Sequence, residues 1–145
     1  MFKHILVPTD GSALAQAAAV KSIELAAVTG ARITAVAVVP QFHVLTFHAD
    51  LLEVTRAECE RAAAARAEQA LAFVRKAAAE RGVVCELQQR LSDDIDASIL
   101  RVASEQGCDT IAMATHGRRT IAGATLGSVT QRVLAGARMP VVVWR

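Results

Sequence analysis

Short apolar runs rich in β-branched residues alternate along the chain with longer stretches of helical character. We predict strands at residues 5–7, 33–39, 83–91, 111–113 and 141–144. Residues 33–39 are apolar at nearly every position, which is typical of a strand that is covered on both faces. The mixed composition of residues 83–91 instead indicates a strand nearer the edge of a sheet.

The stretches between these strands predict helices at about residues 13–28, 51–81, 95–106 and 128–137. Ser12 is a predicted N-cap, and a glycine stands just beyond the first three helices. A straight helix over residues 51–81 would be about 45 Å long, so we expect it to start late, bend or extend beyond the sheet. The segment before it contains Phe42 and Phe47, and we predict a loop that covers the fold or packs on a partner.

The regular alternation of strands and helices predicts the fold class. Strands that are separated by helices need crossover connections, which are right-handed and produce a parallel sheet. We therefore predict an α/β fold, a doubly wound sheet with helices on both faces, in a single domain that spans residues 1–145. The pattern determines the order of the elements but not which strands are neighbours.

Composition and charge narrow the class of protein. Hydrophobic residues make up 53% of the chain and charged residues 21%, which disfavours intrinsic disorder. The net charge of +2 is too small for a nucleic-acid interface, and no apolar run is long enough for a signal peptide or a membrane span. The three cysteines lack metal-like spacing and suit reduced thiols. We therefore expect a cytoplasmic protein that binds neither nucleic acid nor membrane.

The end of the first strand carries a candidate binding residue. Asp10 follows the strand almost directly, and parallel sheets bind ligands beyond the carboxyl ends of their strands. Either Asp10 contributes to such a site or its carboxylate caps the next helix.

The connection after the fourth strand combines glycines, arginines and hydroxyl groups. Gly127 allows a backbone to approach a phosphate closely, and the helix that follows presents unpaired N–H groups at its N-terminus. Ser128 and Thr130 add hydroxyl donors, while Arg118 and Arg119 can neutralise anionic oxygens. This combination predicts a cradle for a triphosphate, and the alternative is a surface loop with a serine cap. It is not a Walker A loop, because no lysine precedes the serine.

Five stretches resemble the universal stress protein family, and together they extend over essentially the whole chain. They are "ILVPTDGS", "VAVVP", "DTIAMATHGR", "LGSVTQRVL" and "MPVVVWR". Nucleotide-binding members of that family carry the pattern G-x2-G-x9-G-[ST] after the fourth strand. Here Gly117, Gly127 and Ser128 match with the spacing intact, and Ala114 stands in place of the first glycine.

The resemblance implies a five-stranded sheet of order 3-2-1-4-5, with ATP across the gap between strands 1 and 4, with or without Mg²⁺ or Mn²⁺. It implies that Pro8, Asp10 and Val38 border the adenine and ribose. The segment from Ala114 to Thr120 would then surround the ribose and phosphates, and the segment from Gly127 to Thr130 would hold the end of the phosphate chain. The full set of residues predicted for the site is Pro8, Thr9, Asp10, Val38, Met113, Ala114, Thr115, His116, Gly117, Arg118, Arg119, Thr120, Gly127, Ser128, Val129 and Thr130.

The function that the resemblance implies is a stress-response module that binds an adenine nucleotide. Two alternatives stay open: an interaction protein whose site Ala114 has disabled, and a slow ATP hydrolase. Efficient phosphoryl transfer needs a residue that orients the nucleophile, and the sequence offers no evident candidate. We therefore assign no catalytic residue and predict at most weak ATP hydrolysis.

The last strand raises the question of assembly. In the implied strand order, the segment from Pro140 to Trp144 forms an edge of the sheet and carries no charge. An apolar edge favours aggregation unless something covers it. We predict that the same strand of a second copy covers it in a homodimer, which resembles the dimers of the family. The alternative is a helix or the loop with Phe42 and Phe47 of the same chain.

Overall fold

The coordinates are a computed structural model, which describes residues 1–41, 49–118, 123 and 125–145, and for residues 49–54 the backbone alone. The elements in chain order are β1 His4–Pro8, α1 Ala13–Thr29, β2 Arg32–Val39, α2 Ala49–Glu80, β3 Cys85–Leu91, α3 Ile95–Glu105, β4 Thr110–Ala114, α4 Ser128–Gly136 and β5 Val141–Trp144. All strand pairs are parallel, and the strand order is β3-β2-β1-β4-β5. The predicted α/β class and strand order are confirmed.

Local signals in the sequence explain where the helices begin and end. The hydroxyl of Ser12 accepts a hydrogen bond from the Ala15 N–H at 3.2 Å and caps α1, as predicted. Gly30 ends α1 in the left-handed conformation, with a φ of 72° that a residue with a side chain rarely adopts. The carboxylate of Asp94 caps α3 by accepting from Ala97 N–H at 3.4 Å.

Two apolar clusters lie on opposite faces of the sheet, because successive side chains of a strand point to opposite sides. Ile5 and Val7 of β1 pack under α1 and α2, whereas Leu6 between them packs under α3 and α4. All three side chains are fully buried. The sheet is therefore covered on both faces, which explains why its central strands are almost continuously apolar.

Helix α2 is long, and only part of it packs on the sheet. It begins at Ala49, so a late start, one of the three alternatives that we gave, does not occur. Residues 55–62 are exposed, while Ala67, Leu71 and Val74 in the second half are buried. The first half extends beyond the sheet, as predicted. Phe42 and Phe47 lie outside the described residues.

In the part of the chain that the structure describes, no helix has both the length and the apolar composition needed to cross a bilayer.

Candidate functional site

A cavity of about 270 Å³ lies at the carboxyl ends of β1 and β4. These two strands are neighbours in the sheet, and the connections that leave them run to opposite faces, so a crevice opens between them. Most of the residues predicted for the site line this cavity. They are Pro8, Thr9, Asp10, Val38, Met113, Ala114, His116, Gly117, Arg118, Gly127, Ser128, Val129 and Thr130.

Three predicted residues stand apart from that set. Thr115 is 5% exposed and does not line the cavity. Its N–H donates to the Trp144 carbonyl at 3.0 Å, and its hydroxyl lies 2.9 Å from Nδ1 of His116. Thr115 therefore joins β4 to β5 and positions the neighbouring imidazole. Arg119 and Thr120 lie outside the described residues.

The Asp10 carboxylate links the end of β1 to the connection after β4. Oδ1 accepts from the Ser12 N–H at 2.9 Å, and Oδ2 accepts from the Arg118 N–H at 2.6 Å. The first bond is local and supports the start of α1, where Ser12 is the N-cap. The second bond crosses between strands, so Asp10 shapes the cavity wall as well as the helix start.

Gly117 provides the space that this carboxylate occupies. A Cβ at position 117 would lie 2.7 Å from Oδ2 of Asp10, which is closer than real Cβ atoms approach an oxygen. The family pattern implies only that Gly117 belongs to the nucleotide site. In the structure, the first group that approaches Gly117 is a side chain of the protein itself, which holds the loop in place.

The N-terminus of α4 forms another wall of the cavity. Gly127 is the N-cap residue and has no side chain to accept a hydrogen bond from the first turn. Its own N–H donates to the Thr115 carbonyl at 2.7 Å, which fixes the helix start against the loop. The first-turn amides therefore lack a side-chain cap, and such a helix end carries a partial positive charge that attracts anions.

Thr130 contributes to the site through the backbone. Its hydroxyl is 3% exposed and donates to the Ala114 carbonyl at 3.0 Å. This bond joins the first turn of α4 to the last residue of β4. The hydroxyl that we predicted as a donor to phosphate is thus already bonded, while Ser128, two residues earlier, is exposed.

Sequence reasoning missed much of the apolar lining. The additional lining residues are Ala15, Val36, Ala37, Val39, Pro40, Ala63, Arg66, Ala67, Ile95 and Ile99. Most are apolar residues of β2, α2 and α3 that are indistinguishable in the sequence from the general core. Only the Val39–Pro40 end of the second strand gave a signal, because it is one of the strand ends that meet at this edge.

Two arginines are the cationic side chains of this lining. Arg118 comes from the connection after β4 and was predicted, whereas Arg66 comes from α2 and was not predicted. Arg66 is exposed to solvent and also lines the cavity. Among the described residues, no group of three or more His, Cys, Asp or Glu side chains could hold a metal ion.

The comparisons with known proteins agree with this fold and with the motifs. The model of the universal stress protein family matches residues 1–145. Universal stress protein MJ0531 of Methanocaldococcus jannaschii is 31% identical over 149 residues, which cover 99% of this chain and 82% of that relative. The chain belongs to the universal stress protein family.

Solved structures share the architecture. The universal stress protein UspA from Lactobacillus plantarum has a TM-score of 0.79 and is 27% identical, covering 99% of this chain and 98% of its own. Protein MJ0577 has a TM-score of 0.81 at 23% identity, and the match covers 99% of this chain and 95% of that chain. Two universal stress proteins in nucleotide complexes also share the fold. The complex with cAMP has a TM-score of 0.71 at 23% identity, covering 99% of this chain and 97% of its own. The complex with dAMP, from Archaeoglobus fulgidus, has a TM-score of 0.67 at 16% identity, and the match covers 100% of this chain and 98% of that chain.

Proposed function

We propose that this chain binds ATP in the cavity at the ends of β1 and β4 and acts as a binding or regulatory module in a stress response. The observation that carries the proposal is the N-terminus of α4, which has no side-chain cap and faces this cavity. Anionic groups bind at such helix ends because several N–H groups point outward together. A phosphate chain is the ligand group that this wall of the cavity fits best.

The apolar lining of the cavity suits an adenine ring. Val38 at the end of β2, Met113 in β4 and Ile99 in α3 all line it, and none of these side chains carries a charge. Ligand cavities typically combine such an apolar lining with a few polar groups that fix orientation. Here polar groups come from the end of β1, from α2, from the connection after β4 and from the start of α4, so the cavity suits a molecule with an apolar ring and an anionic tail.

The nucleotide complexes of the family support the choice of adenine. Universal stress proteins of this fold have been solved with cAMP and with dAMP, which both carry an adenine base and a phosphate. This chain places glycines at two motif positions of the cavity wall, Gly117 and Gly127. The third, Ala114, adds one methyl group at the end of β4 and is 7% exposed.

We assign binding rather than efficient turnover to this site. Phosphoryl transfer requires a carboxylate that holds a metal ion and a residue that orients the nucleophile. Asp10 is the acidic residue of the described lining, and both of its oxygens accept hydrogen bonds from backbone amides. Mg²⁺ or Mn²⁺ would accompany the nucleotide through its phosphates, and hydrolysis would be slow.

The direct test is the melting temperature of the protein with increasing ATP and Mg²⁺. A ligand that binds only the folded state stabilises it by about 2.7 kcal/mol at one hundred times its dissociation constant, so the melting temperature should rise with each addition. The matched variant is Gly127→Val. The φ of −69° at Gly127 suits valine, and its Cβ would lie 3.4 Å from the Thr115 carbonyl, so the fold should persist.

In this variant, however, the methyl groups would occupy space beside the first turn of α4, and the ATP response should disappear. A wild type that does not respond to millimolar ATP would contradict nucleotide binding and favour an interaction protein. An unchanged response in the variant would contradict the placement of the phosphates.

We further propose that the protein is a cytoplasmic homodimer in which β5 pairs across a twofold axis. In the described chain β5 pairs with β4 alone, and its four residues are only half-buried. Symmetric pairing would cover this apolar edge. Sedimentation should therefore give a dimer for the wild type at micromolar concentration. A wild type that sediments as a 15.3 kDa monomer at micromolar concentration contradicts the dimer.

A further inference from the structure

Two guanidinium groups lie in the lining of the cavity. Arg118 lies on the connection after β4 and Arg66 on α2, and both line the cavity. Among the described residues, no carboxylate oxygen forms an ion pair with either guanidinium group within 4.0 Å. Other arginines of the described chain differ in this respect, since Arg56 pairs with Glu60 and Arg90 pairs with Glu105.

The two guanidinium groups approach the cavity from different elements. A Cβ at Gly11 would lie 3.7 Å from Nη2 of Arg118 and 3.2 Å from the Cβ of Ala70 in α2. The Arg118 side chain therefore reaches toward the face of α2 that contains Ala70. Arg66 is one helical turn earlier on that same face, about 6 Å along the axis at 1.5 Å per residue.

The spacing along α2 explains why Arg66 reaches the cavity. Ala63 and Ala70 are each three or four residues from both Arg66 and Ala67, so the four residues lie on one side of the helix. Ala67 and Ala70 are 8% and 3% exposed and pack inward, while Ala63 and Ala67 line the cavity with Arg66. The small alanines bring the helix close to the sheet, and the long arginine at the same face extends from there into the mouth of the cavity.

We propose that Arg66 and Arg118 form a two-cation clamp that makes the site selective for adenine nucleotides with two or three phosphates over those with one. The inference rests on the nucleotide binding proposed above. A single phosphate at the N-terminus of α4 satisfies that helix end. A longer phosphate chain carries additional negative charge that both arginines can neutralise, and guanidinium groups bind phosphate oxygens in pairs of hydrogen bonds.

The test compares the dissociation constants of AMP, ADP and ATP by calorimetry for four proteins. They are the wild type, Arg66→Gln, Arg66→Lys and the control Arg61→Gln, whose arginine is exposed on the same helix but does not line the cavity. Arg66→Gln should weaken the binding of ATP at least tenfold and the binding of AMP less than twofold. Arg61→Gln should leave both dissociation constants within twofold of the wild type. Arg66→Lys should recover part of the ATP affinity, because it restores the charge without the fork of donors.

The outcomes separate the two proposals. A wild type that binds none of the three nucleotides overturns the proposed function and the clamp with it. A wild type that binds AMP as tightly as ATP, or an Arg66→Gln variant that weakens both equally, overturns the clamp alone. A thermal melt of each variant without ligand shows whether it is folded, and the Arg66→Lys affinity then distinguishes a lost charge from a damaged helix.

Discussion

Two aspartates join β1 to the chain around β4, one at each end of the strands. At the amino end, Oδ2 of Asp109 accepts from the N–H of Lys3 at 2.8 Å and from that of His4 at 3.3 Å, and Oδ1 accepts from the Thr110 hydroxyl at 3.0 Å. At the carboxyl end, Asp10 accepts from Ser12 and Arg118. The same chemistry links neighbouring strands at both ends, but only Asp10 borders the cavity.

The surroundings of the two aspartates differ in how their polar groups are satisfied. Near Asp109, His4 is 4% exposed and its Nε2 lies 2.7 Å from the Thr34 hydroxyl, and burial raises the pKa of the neighbouring Cys108 thiol to about 11. Near Asp10, a helix end without a side-chain cap and two guanidinium groups line the cavity, and neither guanidinium forms an ion pair with a described residue. Packing at the amino end stabilises the sheet, whereas the carboxyl end keeps donors available for a ligand.

Replacing the aspartates by alanine should separate these two roles and give the largest effects. Asp109→Ala leaves two amides and a hydroxyl without their acceptor, so we expect the free energy of unfolding to fall by about 2–3 kcal/mol with little change in ATP affinity. Asp10→Ala should lower the free energy of unfolding by less, since Asp10 is exposed. It should weaken ATP binding at least fivefold, because it releases the loop at Arg118.

Urea unfolding and calorimetry on both variants provide the measurement, and the matched control is Asp109→Asn, which keeps an acceptor oxygen. If Asp109→Ala weakened ATP binding as much as Asp10→Ala did, the two ends of the sheet would not have distinct roles.

Acid should weaken the amino end specifically. Burial, and then the charge of Arg32, lower the pKa of His4 below its usual 6.5, and Nδ1 has no hydrogen-bond partner among the described residues. Below pH 6.5 the unfolded chain gains a proton that the folded chain does not accept. The free energy of unfolding should therefore fall with falling pH, by up to about 1.4 kcal/mol per unit for this one group.

The measurement is urea unfolding at pH 7.5, 6.5 and 5.5 for the wild type and His4→Gln. Glutamine keeps a partner for the Thr34 hydroxyl but does not titrate, so the variant should lose less stability between pH 6.5 and 5.5. Equal losses in the two proteins would show that other groups cause the pH dependence.

The sequence predicted the fold better than it predicted the site. Periodicity placed nine elements, and caps such as Ser12 and Gly30 gave their ends, because these signals are local. The motif residues after β4 were found for the same reason. Arg66 was missed because it reaches the cavity only through the packing of α2 on the sheet. The role of Gly117 was missed because its neighbour, Asp10, is 107 residues away along the chain, and only tertiary structure brings them together.

The smallest predicted effect separates two hydroxyls of the first turn of α4. The Thr130 hydroxyl is buried and donates to the Ala114 carbonyl, so Thr130→Val should lower the free energy of unfolding by about 1 kcal/mol through the lost hydrogen bond. Ser128 is exposed, and Ser128→Ala should leave stability within about 0.5 kcal/mol while it weakens ATP several-fold. Unfolding curves and ATP titrations of the two variants decide between these roles. A Thr130→Val protein of unchanged stability that binds ATP more weakly than Ser128→Ala would show that the buried hydroxyl turns toward the phosphate, and that the carboxyl end rearranges when its ligand binds.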